Sequence, residues 1–290
     1  MNQRLRSAVM GAMARQPPDT ISMLTRVQPF FGALFSRDAS GRSWLAQLLR
    51  ATPNGSRRLG PLTDGPGYLL TSLAVRGASG RLACFEYPAA PPRDLLLWLI
   101  EHPGELTWPA DAAHSAETER LRHALIDDHP SGIRARAQER ARERARTASP
   151  FATDWWRFET VSLLDCVLIT DKLVITVEGR RTEPPGPATP WYPQRSRLVR
   201  DIEAAGQIAQ GRAWGSVLIS DEPLSAGSAE AVAASLPAGA PHLAPDERLE
   251  FESAYLGNIT WRQACEAVGH SFELLSESSG QTASSDAASS

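Results

Sequence analysis

The chain has 290 residues, 42% hydrophobic and 22% charged, which is enough for a substantial core in one large or two small domains and excludes a disordered chain. Cys84, Cys166 and Cys265 lie too far apart for a disulfide framework or a zinc site, and no run reaches a membrane span or a signal peptide, so a cytoplasmic location with no membrane partner is expected. The net charge of −3 divides unevenly: residues 1–220 carry 28 basic and 22 acidic side chains, against 2 and 11 beyond, so a mildly basic body compatible with phosphate binding precedes an acidic end.

Phe30, Phe31, Leu34 and Phe35 suggest a first short helix, and Ser43 to Arg50 a second. Strand-like runs at 68–75 and 81–87 surround Gly77-Ala78-Ser79-Gly80, a hairpin signal. Residues 93–102 predict a helix halted by Pro103-Gly104. A further helix runs from Ser115, its N-cap, to Asp128, with Glu117 and Glu119 in the turn that the helix dipole favours for acids. His102, His114, His123 and His129 have no partner at a metal-ligand spacing and read as surface groups. Residues 1–130 are thus an N-terminal accessory α/β region with no catalytic grouping.

Residues 134–146 hold six arginines and two glutamates at helical spacing, so that i, i+3 and i, i+4 pairs support a solvated helix by roughly 0.2–0.5 kcal/mol each. Trp155 to Ser162 is expected to be a strand. It leads into two apolar runs, Leu163 to Thr170 and Leu173 to Val177, closed as a tight hairpin by Asp171-Lys172. Folding back at 171 and 172 sets Asp165 opposite Glu178. Two ionised carboxylates at facing positions repel, and a divalent cation such as Mg²⁺, held by carboxylate oxygens and water, is one resolution. The bland alternative is that both acids point into solvent at a sheet edge.

Pro184 to Pro190 makes a proline-rich loop that cannot continue a ladder. Trp191-Tyr192-Pro193-Gln194-Arg195 then introduces a helix to about Gln210, buried through Leu198, Val199, Ile202, Ala205 and Ile208. Its first turn, with Gln194, Arg195 and Arg197, offers amide donors and side chains to a phosphate. Arg181 joins this nucleic-acid-binding set, as does Tyr192, which could stack a base, although an aromatic beside prolines is more often packing. Residues 211–220 supply a fourth core strand. Helices are expected at 228–236, 246–256 and 260–268 as an acidic C-terminal layer over 223–275, and the serine-rich tail, 276–290, is expected to be disordered.

Asp165 on one strand and Glu178-Gly179-Arg180 on the next resemble the signature of the PD-(D/E)XK nucleases, an Asp followed by an acidic-x-Lys triplet in an αβββαβ core. The resemblance covers about residues 134–220. It implies an α/β (α+β), restriction-endonuclease-like core at 131–222, a mixed sheet flanked by helices. The activity implied is Mg²⁺- or Mn²⁺-dependent hydrolysis of nucleic acid, DNA more than RNA. Asp165, Glu178 and Arg180 would be catalytic, with Asp165 and Glu178 on the metal. Family members often carry a further acid; Glu139 or Glu143 on the first helix, or Glu159, could complete the shell. The departure is Arg180, which stands where the family has lysine. Arginine stays protonated and is a poor proton acceptor, and Lys172, the sole lysine, falls at the other end of the hairpin. A module that keeps the fold, no longer cuts, and binds nucleic acid or a protein partner is therefore the alternative.

Overall fold

The computed structural model describes residues 22–63, 85–109, 115–127, 131–170, 172–182 and 185–275. The run 68–75 and its glycine turn, Cys84, His114, His129, Asp171 and the serine-rich tail lie outside the described residues. The architecture is α/β, an open five-stranded mixed sheet flanked by helices.

A π-helical turn, Met23–Val27, runs into α1 (Gln28–Arg37), followed by α2 (Leu45–Ala51) and α3 (Gly55–Thr63). After β1 (Phe85–Ala89) come α4 (Arg93–Glu101), α5 (Ala116–Ile126) and α6 (Ser131–Thr147). Ser115 caps α5, its side chain accepting from Thr118 N–H. The centre is β2 (Ser162–Ile169), β3 (Leu173–Gly179), α7 (Arg197–Ala209) and β4 (Ala213–Ser220). The chain continues through α8 (Ala229–Gly239), α9 (Pro245–Ala254), β5 (Tyr255–Thr260) and α10 (Trp261–Val268). The strands lie in sequence order, with β1, β2 and β3 antiparallel and β3, β4 and β5 parallel.

Three expectations are corrected. Residues 155–161 are turns and bends, not a strand. Trp155, Trp156 and Phe158 are all buried, packing with α4, α5 and α6 rather than alternating across a pleat, and the Arg157 guanidinium gathers the carbonyls of Ala152 and Pro150 into a coil. The strand beside β2 is instead β1, from the region read as accessory. Helix α7 begins at Arg197 behind the cap Ser196, whose hydroxyl accepts from Val199 N–H, so Gln194 and Arg195 precede the helix. Finally, 255–260 is a strand and not part of two helices. Tyr255, Leu256 and Ile259 are buried there, and the left-handed Gly257 (φ +105°) faces the ring of Pro53.

Helices pack both faces of this sheet. On one, Phe30, Phe31, Leu34, Trp44, Leu45 and Leu48 from α1 and α2, with Trp261 from α10, meet Cys166, Leu168, Ile175, Val177, Val217 and Ile219. On the other, Leu198, Ile202 and Ala205 of α7 cover Val167, Val174 and Leu218. Each such apolar side chain contributes roughly 1.5–3 kcal/mol relative to exposure. Segments from both ends of the chain thus share one core with the central strands, while α4 to α6 bury a separate cluster with Trp191 and Tyr192. Because β2 and β3 alternate, Asp165 and Glu178 fall on the face covered by α7, in step with Val167 and with Val174 and Thr176. Thr176 confirms the side: its hydroxyl donates to the Asp201 carbonyl of α7 at 3.0 Å.

Candidate functional site

The β2–β3 hairpin closes where Thr170 N–H donates to Leu173 C=O at 2.8 Å, and its register pairs Cys166 with Val177. One step further along the same ladder, Asp165 stands opposite Glu178, as the hairpin predicted. The two acids do not face solvent: Asp165 is 6% exposed and Glu178 0%. Gly179 N–H donates to Asp165 Oδ2 at 2.9 Å. The glycine is required by its other face, since a Cβ there would lie 2.2 Å from Val27 Cγ2 and 3.1 Å from Trp261 Cζ2. Trp261 Nε1 donates to Arg180 C=O at 2.9 Å and so fixes the chain beyond the strand.

The charge between the acids is supplied from α7. Arg197 reaches both carboxylates at once, with Nη2 3.1 Å from Asp165 Oδ1 and Nε 3.4 Å from Glu178 Oε2. Arg180 closes on Glu178 from the end of β3, Nη2 to Oε1 at 2.5 Å. A third acid, Asp201, lies one turn along α7 from Arg197. Its Oδ1 accepts from Nε and Nη2 of Arg200, at 3.3 and 3.1 Å.

These contacts separate the three acids in protonation. For Glu178, burial acts upward, but Arg180 and Arg197 outweigh it and hold the group down at about 2. Burial, reinforced by the Glu178 charge, pushes Asp165 up to about 7 against the pull of Arg197. Asp201 is raised well above the usual carboxylate range by burial and by Glu178. Glu178 is therefore ionised at neutral pH, while Asp165 and Asp201 keep their protons to higher pH than ordinary carboxylates do. Like charges in a buried site oppose one another's ionisation, and the upward shifts fall on the members with less arginine contact.

The donor set was tested against Mg²⁺. An octahedral ion with ligands near ~2.1 Å needs deprotonated carboxylates with free oxygens converging on one point. Here the point between Asp165 and Glu178 is taken by the Arg197 guanidinium, and burial with the Glu178 charge makes Asp165 reluctant to ionise. Among the described residues, no group of three or more His, Cys, Asp or Glu side chains is arranged to hold a metal. The residues in this arrangement do not fit the ion.

The other candidate acids are elsewhere. Both oxygens of Glu159 are held by Arg195, Nε to Oε2 at 2.5 Å and Nη2 to Oε1 at 3.3 Å, so Glu159 does not join Asp165. Glu139 is exposed on α6, paired with Arg142 at 3.3 Å, and α6 packs on α4 and α5 rather than on the strands; Glu143 is exposed on the same helix. Lys172 is at the far end of the hairpin, as expected.

Of the residues assigned to nucleic acid, two are corrected by burial. Arg195 is fully buried and saturated, bonding Glu159, Glu203 at 2.5 Å and Gly239 C=O at 3.1 Å. Tyr192 is buried, and its hydroxyl donates to Ala238 C=O at 2.5 Å, leaving no face for a base. Arg197 points inward to the acids. Arg181 remains about half exposed but pairs with Asp221 at 3.2 Å, and Gln194 is exposed. Arg200, Asp201, Glu203 and His242 were missed. A sequence signal existed for two of them: Asp201 and Glu203 interrupt the otherwise apolar stripe Leu198, Val199, Ile202 and Ala205, and a charge in a core stripe demands a buried partner.

No protein-family model, curated protein or solved structure matches this chain.

Proposed function

We propose that this chain is a non-cutting module of nuclease-like architecture that binds nucleic acid, with an arginine in the place a catalytic cation would take. The single observation that carries the reading is Arg197 bridging Asp165 and Glu178. The architecture is supported by strand order. An antiparallel β1-β2-β3 meander, then a helix, then β4 parallel to β3 follows the βββαβ part of the core that the Asp165 and Glu178-Gly179-Arg180 pattern resembles, although here α4 to α6 are inserted between β1 and β2. The loss of cutting is supported by Arg180 and Arg197 together. Neither guanidinium can take a proton from water, and both are tied to carboxylates that a metal would need.

The nucleic-acid side is supported by α6. Arg136, Arg140 and Arg144 are exposed at four-residue spacing, one helical turn apart, and have no ion-pair partner among the described residues. Such a stripe attracts phosphates independently of base sequence. Binding of labelled duplex DNA and single-stranded RNA, followed by fluorescence anisotropy, should weaken with added salt. Changing the three arginines together to glutamine should reduce the slope of log K against log salt by up to about 3. Calorimetry should record no Mg²⁺ or Mn²⁺ binding, and neither nucleic acid should be cut.

The other reading, a metal-dependent nuclease, is favoured by the meeting of Asp165 and Glu178 at one end of one face. It requires Arg197 to leave the pair. Cleavage that depends on Mg²⁺ or Mn²⁺ and disappears in both Asp165→Ala and Glu178→Ala would establish that reading and end the one proposed.

A further inference from the structure

The corner between α2 and α3 carries a positive surface separate from the α6 stripe. We propose that this corner is a second contact for the phosphate backbone of nucleic acid, an inference that rests on the reading that nucleic acid is the partner.

The corner is tight and anchored. Three residues separate α2 from α3. Within them Thr52 N–H donates to Leu49 C=O and Gly55 N–H to Thr52 C=O, both at 3.2 Å, and Arg58 N–H donates to Asn54 C=O at 2.9 Å. A Cβ on Gly55 would overlap the Leu49 carbonyl oxygen, so the two helix ends meet as closely as a glycine allows. Asn54 ties the corner to the sheet edge, its N–H donating to Leu256 C=O at 3.0 Å and its Nδ2 to Tyr255 C=O at 3.3 Å. Arg50 at the end of α2 and Arg57 and Arg58 at the start of α3 are thereby gathered on a fixed frame, Arg50 and Arg57 exposed and Arg58 half-buried.

The local sequence supplies no acid to answer these charges. Residues 37–63 hold five arginines and a single acid, Asp38. That acid is occupied in its own loop, accepting from Ser40 N–H at 2.9 Å, from the Ser40 hydroxyl and from Ser43 N–H at 2.8 Å. Among the described residues α3 packs on α2 and β5, neither of which contains Asp or Glu, and Arg57 and Arg58 have no ion-pair partner.

Helix stability does not account for the placement. The first turn of a helix is the positive end of its dipole, where acids stabilise and cations cost. No acid stands in the first turn of α3, and two consecutive arginines do. They repel each other and the dipole, and an external polyanion relieves both. Phosphate is the anion that the guanidinium fork fits, through paired charge-assisted hydrogen bonds. Helix α6, by contrast, intersperses its arginines with Glu139 and Glu143 and packs in another cluster, so the two surfaces meet nucleic acid separately.

The test is fluorescence anisotropy of labelled duplex DNA with the full chain across a salt series, comparing the wild type with the double variant Arg57→Gln and Arg58→Gln. The slope of log K against log salt should fall by up to about 2, in addition to the loss from the α6 changes when the two sets are combined. The double variant should melt no lower than the wild type, because two cations leave the dipole's positive end. In the wild type, DNA should also slow hydrogen exchange over residues 50–58, and absence of protection there overturns the proposal. An unchanged slope in the double variant, where the α6 changes lower it, overturns the proposal and leaves the α6 reading standing. A slope lowered by the double variant but not by the α6 changes supports the corner and removes α6 from the interface. Absence of binding by the wild type to DNA and RNA overturns both. Loss of binding to phosphatidylglycerol vesicles with the DNA slope unchanged assigns the corner to a membrane surface and likewise overturns the proposal.

Discussion

Replacing Asp165 with asparagine should make the protein more stable at neutral pH than the wild type, and the gain should vanish on acidification. The folded-state value of Asp165 is about 7, above its ordinary value of 3.8, because burial and Glu178 oppose its charge. Between those values the native chain holds a proton that the unfolded chain has released. Stability must then fall as pH rises through the window, by up to about 1.4 kcal/mol per pH unit for one proton, and level off above pH 7. Glu178 works in the opposite sense, since its folded value of about 2 lies below 4.5. It contributes stability above pH 4.5 that is lost as pH falls toward 2, so it is constant over the range that matters for Asp165. Asparagine keeps the shape and the acceptor oxygen for Gly179 N–H but has no charge to suppress. Urea unfolding of both proteins at pH 5, 6, 7 and 8 should therefore show the stability gap widening in favour of the variant by roughly 2–3 kcal/mol between pH 5 and 7 and then holding steady. Parallel stability–pH curves for the two proteins would refute the buried, proton-sharing cluster.

The second polar cluster should behave as a strict ion network. Arg195→Met leaves Glu159 and Glu203 buried without their counter-charge and should cost about 3–5 kcal/mol or prevent folding, read by denaturant unfolding and near-UV dichroism. Gly179→Ala drives a methyl into Val27 and Trp261 and should cost about 1–3 kcal/mol, partly recovered in combination with Val27→Ala, as a double-mutant cycle in urea will measure. Tyr192→Phe removes the hydrogen bond to Ala238 C=O and should cost about 1 kcal/mol of stability. It should leave nucleic-acid affinity unchanged in the anisotropy assay, because the ring is buried.

What the sequence determined by itself is mostly local. The two apolar runs around a polar pair located the β2–β3 hairpin, and the pairing of Asp165 with Glu178 followed from counting back from its turn. Caps and apolar stripes likewise located α5 and most of α7, because a capping serine and an i, i+3, i+4 stripe are short-range signals. Tertiary structure decided what those signals cannot carry. Trp155 to Glu159 has strand-like composition yet coils, since its aromatics find a pocket among α4, α5 and α6. Tyr255 to Thr260 looked like a helical end and its neighbour, yet pairs with β4, because a strand at the end of a parallel sheet is specified by a partner some forty residues away. The fate of the acid pair was the least legible. Whether two facing carboxylates attract a metal, a proton or a guanidinium depends on what the covering helix points at them, and here it points Arg197. That answer required α7 to be laid across β3, a long-range packing choice that no spacing within the hairpin encodes.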